Sequence, residues 1–386
     1  MKQILMALTL ALVLLPPALL PMSAQAIEAK ADYALLMDVQ SGVTLYEKNA
    51  DAPMTPASMS KLMTVLVVFE ALKNGEVSLD DEFVVSDDAW RRGGAASGGS
   101  TMFLEARSRV SVGDLLSGVI IQSGNDACIV LAEGIGGSET AFADIMNDMA
   151  EVLGFTNSFF VNSTGLPHPD HKMSARDLAK LAHIIITQYS DYYSLFSERE
   201  FTWNNIRQEN RNPLLYANIG ADGLKTGHTL ESGYGLVASG EQNGRRLILV
   251  MNGLNSKRQR AAQARRFMNW GFRAFAQTTL LERGQVVRTL PVWHGAEAGV
   301  EIVPEKRFEV LAPRGARRKM IITITYERPI IAPIEKGDAV ALMRVTIPGL
   351  APQEMSMLAA QKVERGNFIG RSFDSLGYML WGGAHE

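Results

Sequence analysis

The chain has 386 residues, 47% hydrophobic and 20% charged, the balance of a globular protein with a real core, which excludes collagen-like, linker and disordered readings and leaves room for two to three domains at about 150 residues each. A formal net charge of -3 lacks the basic excess that neutralising a phosphate backbone demands, so nucleic acid is not an expected partner. The single cysteine, Cys128, excludes an intrachain disulfide framework and a Cys-rich zinc or iron–sulfur centre.

Residues 1–26 read as a cleavable secretory signal: Lys2, the apolar run Ile4 to Leu15, then Pro16, Pro17 and the small-residue site Ala24-Gln25-Ala26. The apolar run falls short of the ~20 residues of a spanning helix, and Pro16, Pro17 and Pro21 interrupt the stretch beyond it. Removing the segment takes one lysine and no carboxylate, so the mature chain is mildly acidic.

Ala34 to Met37 and Val43 to Tyr46 predict a hairpin around the turn at Asp38 to Gly42. Thr55-Pro56 reads as an N-cap and N1 proline ahead of a buried helix carrying Leu62, Val65, Val68, Phe69 and Leu72. Apolar residues at three- and four-residue intervals predict further helices over 112–121, 126–134, 139–153 and 174–188. Strands come next at 234–239 and 246–252 around a turn at 240–244, then a long helix over 257–276. Beyond a boundary near 284–290, short alternating runs broken by Pro and Gly (286–292, 308–311, 320–326, 339–347, 353–359) predict an all-β module. The last stretch places Ile369, Phe373, Leu376 and Leu380 on one helical face. It reads as an interfacial membrane anchor or as a terminal helix docked on the body.

Three short motifs carry chemistry. Ser58 and Lys61, three residues apart on an opening helical turn, share a face, so the amine can take the hydroxyl proton. Ser123-Gly124-Asn125 breaks two apolar helical segments, where Ser123 can pass a proton to a leaving amine and Asn125 can hydrogen-bond a substrate amide. Lys225-Thr226-Gly227, with His228 next, reads as a strand facing a cleft: Lys225 and Thr226 suit a carboxylate, and Gly227 admits substrate close to the backbone. Each motif alone is common; their joint occurrence in the order S-x-x-K, S-G-N, K-T-G is not.

On these residues, together with Leu224-Lys225-Thr226-Gly227-His228-Thr229, Gln122 to Cys128, Arg207 to Leu215 and Trp270-Gly271-Phe272-Arg273, the chain resembles the low-molecular-mass penicillin-binding proteins. Within them it is similar to the serine-type D-alanyl-D-alanine carboxypeptidases of the penicillin-binding protein 5 type (peptidase family S11). The resemblance implies an α+β serine β-lactamase/transpeptidase-like catalytic domain, with an antiparallel sheet and a helical cluster, over 27–287. It implies a small all-β domain over 288–365 and an amphipathic membrane-anchor helix over 366–386. It further implies that Ser58 attacks the carbonyl of the penultimate D-Ala with Lys61 as base, and that the oxyanion sits on the N–H groups of Ser58 and His228. Ser123 would relay the proton to the departing D-Ala, and Asn125 belongs to the same catalytic set. Lys225, Thr226, Arg211 and Arg260 would meet the terminal carboxylate. The implied partners are peptidoglycan stem peptides, β-lactams as covalent inhibitors, and the periplasmic face of the cytoplasmic membrane; no cofactor or metal is called for. A β-lactamase, and a non-catalytic β-lactam sensor or cell-wall scaffold, are the alternatives.

Other residues carry bland readings. Glu200, in Glu200 to Asn204, is placed on a strand rather than used as a deacylating base, leaving Lys61 to act again. His168-Pro169-Asp170-His171 lacks a third ligand and reads as a polar loop. Gly93 to Gly99 lacks the Lys-Ser/Thr of a phosphate loop and is expected beside the cleft. Cys128 reads as a small packing residue that would also serve as a thiol probe of the active site if the cleft were open.

Overall fold

The computed structural model describes residues 27–367. The expected signal (1–26), and the expected anchor from residue 368 onward, lie outside the described residues.

Strands β1 (Tyr33–Asp38) and β2 (Thr44–Lys48) form the expected hairpin. Thr55 does not cap the next helix. Pro56 opens a 3-10 turn, Ala57–Ser60, and helix α1 (Lys61–Lys73) begins only after it. The Thr55 hydroxyl instead donates to Glu231 and accepts from Lys172. α1 is apolar and buried almost all round, as a helix at the centre of a domain must be.

A clasp of β3 (Glu82–Val84) and β4 (Arg109–Ser111) flanks α2 (Asp87–Gly93). Helix α3 (Val112–Ser117) runs into a π turn over Gly118–Gln122, then come α4 (Asn125–Gly136), α5 (Glu139–Val152), α6 (Ala175–Gln188) and the short α7 (Ser190–Tyr193). A small hairpin of β5 (Glu200–Trp203) and β6 (Ile206–Glu209) leads to β7 (Ala221–Thr229), β8 (Gly233–Gln242), β9 (Arg245–Leu254) and α8 (Lys257–Ala274). Serines 86, 111, 138, 174 and 256 each accept a hydrogen bond from the backbone N–H three residues on, so the starts of α2, α3, α5, α6 and α8 are written in the sequence.

The five long strands form an antiparallel sheet in the order β2-β1-β9-β8-β7. Both faces are covered, so alternation separates two apolar sets rather than apolar from polar. Leu35, Val237, Ile248 and Val250 pack on the helical cluster with α1, α4 and α6. Leu36, Leu236, Leu249 and Met251 pack under Ala264, Phe267 and Met268 of α8. β7 is left as the edge strand beside the Ser58 turn.

The helix expected to reach residue 276 stops at Ala274, and the chain passes directly into β10 (Phe275–Leu281). The β module continues with β11 (Arg288–Trp293), β12 (Gly299–Pro304), β13 (Phe308–Pro313), β14 (Ile321–Thr325), β15 (Ile330–Ile331), β16 (Ala339–Thr346) and β17 (Gln353–Ala359). β10 pairs with β13, and the rest form a sheet in the order β14-β16-β17-β12-β11-β15 around Val300, Ile302, Val310, Val345 and Met357. Among the described residues no helix is long and apolar enough to cross a membrane.

Candidate active site

The three motifs converge on one cleft of about 640 Å³ lined by Ser58, Ser123, Asn125, Arg211, Thr226, Gly227, His228 and Arg260 among others. Its floor is the 3-10 turn that carries Ser58. Ala57, immediately before the nucleophile candidate, has φ +49°, a left-handed backbone that alanine adopts only under constraint. The constraint comes from packing. A Cβ at Gly227 would lie 2.9 Å from Pro56 O and 3.0 Å from Met59 Cγ, so glycine lets β7 press against this turn. The closeness expected of Gly227 is therefore first a closeness of strand to turn.

Lys61 is fully buried, and its Nζ meets three oxygens: Ser58 Oγ at 3.0 Å, Asn125 Oδ1 at 2.7 Å and the Thr164 carbonyl. The last two only accept hydrogen bonds, whereas a serine hydroxyl also donates. A neutral amine has two protons for the two acceptors and a lone pair left for Ser58. Burial drives the Lys61 pKa down, with Arg211 adding to the effect, which favours that neutral form. The arrangement is one in which an amine lone pair can take a proton from a hydroxyl.

Thr164 was not foreseen, because its contribution is a backbone carbonyl. Asn162 Oδ1 holds the loop by accepting from the Thr164 N–H and hydroxyl and from Gly165 N–H. Gly165 has φ +71°, and a Cβ there would sit 2.2 Å from Ala57 O. Asn-x-x-Gly was the readable signal: a side-chain-capped turn ending in a glycine.

Ser123 closes the π turn in a left-handed conformation, φ +66°. Among the described residues its buried hydroxyl has no hydrogen-bond partner, so the contact with Lys61 is made by Asn125 and not by Ser123. An unpaired buried hydroxyl facing a cleft is available to substrate. Asp126 anchors the region: its carboxylate accepts from Thr101 Oγ1 and from the N–H groups of Met102, Leu104 and Ala127. That tethers the 101–104 segment to the start of α4, while Asn125 N–H donates to Ser100 O.

Lys225 lies on β7, 2% exposed, its Nζ reaching the Thr226 carbonyl at 3.4 Å. Burial pulls its pKa well down. Arg211 donates to Ser100 Oγ, and Arg260 reaches the carbonyls of Gly235 and Arg211. Arg260 Nε is buried and has no partner among the described residues, and burial brings its guanidinium to about 10, still a cation at neutral pH. Its charge lies 5.8 Å from the centre of the Tyr234 ring, which stacks on His228 at 3.9 Å. These donors fit a carboxylate.

Other expected features fall elsewhere. Glu200 is on a strand, as expected, bonded to Arg207 across the β5–β6 hairpin. Gly98, Gly99 and Ser100 line the cleft. The loop reading of His168 to His171 needs correction at one end: His171 is buried edge-on against Phe160, its Nδ1 accepting from Val161 N–H. Cys128 is fully buried on α4, and burial pushes its thiol up to about 12. It packs as a small core residue and does not offer an open thiol probe of the cleft.

The D-alanyl-D-alanine carboxypeptidase family model matches residues 21–256, and the penicillin-binding protein 5 C-terminal domain matches 275–365. D-alanyl-D-alanine carboxypeptidase DacC of Escherichia coli (strain K12) is 40% identical over 343 residues, 88% of this chain and 86% of its own length. Penicillin-binding protein 5 from Haemophilus influenzae superposes with a TM-score of 0.76 at 33% identity, covering 88% of this chain and 99% of that one. Penicillin-binding protein D2 from Listeria monocytogenes, solved in its cefotaxime-bound form, has a TM-score of 0.58 at 30% identity over 64% of this chain and 99% of that one. The fold, the α+β domain with an all-β module behind it, is that of the penicillin-binding protein 5 neighbour. The chain belongs to the D-alanyl-D-alanine carboxypeptidase family.

Proposed function

We propose that this protein is a serine-type carboxypeptidase that removes the terminal D-alanine from peptidoglycan pentapeptide stems, and that β-lactams acylate it at the same serine. The observation that carries this reading is the hydrogen-bond inventory of Lys61: two pure acceptors and the Ser58 hydroxyl. Ser58 Oγ attacks the carbonyl of the penultimate D-Ala as Lys61 takes its proton, and the N–H groups of Ser58 and His228 receive the oxyanion. The C–N bond then breaks. The departing D-Ala amine takes a proton through the unpartnered hydroxyl of Ser123, while Asn125 and Lys225 stabilise the charges around it. Lys61, deprotonated again, activates the water that cleaves the Ser58 ester. Arg211, Arg260 and Thr226 hold the terminal carboxylate.

The rest of the chain fits export to the periplasmic face of the cytoplasmic membrane, with residues 1–26 removed and 366–386 holding the protein to the surface. We divide it into a catalytic domain, 27–287, and a β-rich domain, 288–365, with the β10–β13 pair running across that boundary.

The test is D-alanine release from a D-Ala-D-Ala peptide by the mature chain, with mass mapping of a penicillin adduct. Release and a stable adduct on Ser58, both lost in Ser58→Ala, are expected. Release surviving in Ser58→Ala rejects the nucleophile; fast penicillin turnover favours a β-lactamase, and an adduct without peptide cleavage favours a sensor.

A further inference from the structure

Ser163 precedes the residue whose carbonyl meets Lys61, and all of its polar groups are committed outside its own loop. The side chain is buried. Its carbonyl accepts from the Thr64 hydroxyl at 2.6 Å, on α1 one turn beyond Lys61. Its N–H and its hydroxyl both donate to Glu139 Oε1, at 3.1 and 2.7 Å. The next residue presents the Thr164 carbonyl to Lys61 Nζ, so any movement of Ser163 reaches the amine within one residue.

Glu139 opens α5, but that helix is already capped by Ser138, which accepts from Ala141 N–H. The helix dipole favours a carboxylate in the first turn whichever way its side chain points. It does not account for the aim of this one. Oε1 serves Ser163, while Oε2 is held at 2.6 Å by Arg92 of α2, itself fixed by Asp88 at 2.8 Å. Both oxygens of a side chain only 12% exposed are thus in use. Farther along α5, Asn147 clasps the N–H and carbonyl of Phe160, a second grip on the same segment that stops three residues short of Ser163.

The charged and titratable groups around Lys61 are Arg211, Asp126, Cys128 and Glu139, with Lys225 and His171 close by. Asp126 is spent on the amides of the 101–104 segment. Glu139 is faced in turn by Asp88 and Arg92 of α2 and by Glu133 of α4. Its charge favours the protonated amine and so opposes the neutral form that proton abstraction needs, whereas its geometry supplies that amine with an acceptor. Arg92 offsets the charge and leaves the geometry in place.

We propose that Glu139 is a positioning residue of the acylation step: its carboxylate fixes Ser163, and through it the Thr164 carbonyl that orients Lys61 toward Ser58. This rests on the reading of Ser58 and Lys61 given above.

The experiment follows acylation by a fluorescent penicillin across pH, with urea unfolding alongside, for the mature chain and its Glu139→Ala, Glu139→Gln and Arg92→Ala variants. Glu139→Ala releases Ser163 and is expected to lower the high-pH plateau by roughly 10²-fold, the scale of a misplacement of about 1 Å. Glu139→Gln keeps an acceptor for Ser163 and removes the charge. It should retain most of the plateau and move the rising limb to lower pH, because the group that favoured the protonated amine is gone. Arg92→Ala leaves the carboxylate in place and should not move the limb downward. An unchanged plateau in Glu139→Ala overturns the proposal. So do equal plateau losses in both Glu139 variants with the limb unmoved, which a purely structural role at the start of α5 would produce, and a downward shift in Arg92→Ala as large as in Glu139→Gln. If Glu139→Ala is unfolded in the urea series, the limb of Glu139→Gln decides. Absence of acylation in the native chain overturns the reading of Ser58 and Lys61 itself; a native chain that is acylated beside indifferent Glu139 variants overturns this proposal alone.

Discussion

Asn125 Oδ1 lies 2.7 Å from Lys61 Nζ, so an amide at the start of one helix sets the proton inventory of an amine at the start of another. The oxygen accepts one amine proton and, being uncharged, does nothing to hold a third. With Thr164 O taking the second, the lone pair is left to Ser58. A carboxylate in the same place would reverse that balance, because an opposite charge favours the protonated amine.

Asn125→Asp is therefore expected to cut acylation by a fluorescent penicillin at neutral pH by roughly 10²–10⁴-fold, the usual worth of a general base. In the native protein the lowered pKa of Lys61 makes the neutral base dominant above that pKa, so acylation rises with pH through it and is lost as pH falls. In the variant the rise should move to higher pH. Stopped-flow acylation across pH checks this, and an unmoved limb rejects the assignment of Lys61 as base.

Gly165→Ala tests the loop that presents the Thr164 carbonyl. With φ +71° and Ala57 O only 2.2 Å from the new Cβ, the loop or the Ser58 turn must shift. We expect a loss of about 1–3 kcal/mol in stability, and a larger proportional loss in acylation, since the shift bears on Lys61 and Ser58 together. Urea unfolding paired with acylation rates reads both; a variant native in both would show that the loop does not set the site.

His171 predicts an acid limb in stability. Burial, then the neighbouring Lys61, brings its pKa down to about 4 from an ordinary 6.5. The unfolded chain takes up that proton first, so stability is fully present above about 6.5 and is lost as pH falls from there to about 4, by up to ~3 kcal/mol. His171→Gln, which keeps an acceptor for Val161 N–H, should flatten this stretch of a stability-versus-pH curve. An identical slope in the variant would remove His171 as its source.

The parts of the site that were legible are side chains whose spacing is itself the signal: Ser58 with Lys61, Ser123 with Asn125, and Lys225 with Thr226. What was not legible is the work done by backbone. The Thr164 carbonyl, the left-handed Ala57 and Ser123, and the amides gathered by Asp126 depend on where segments distant in sequence are brought together. The same holds for the fold. Helices with a serine cap and a periodic face were readable, whereas the six-residue β12 and the two-residue β15 were missed because each owes its place to its partner strands. Thr55-Pro56 misled for a related reason: a good local cap lost to the tertiary demands of Glu231 and Lys172.

The placement of β1 has a consequence for how the protein comes into being. Tyr33 to Asp38 pair on one side with β2, the next strand in the chain, and on the other with Leu247 to Asn252 of β9. During synthesis the hairpin is complete early, yet one of its edges waits, unpaired and apolar on both faces, until β9 has been made. The helical cluster that buries the inner face of the sheet is encoded between the two. Folding of the catalytic body is thus a late, long-range closure rather than a stepwise condensation from the N-terminus. A chain truncated before β9 should remain a substrate for chaperones and proteases, however many of its helices it contains.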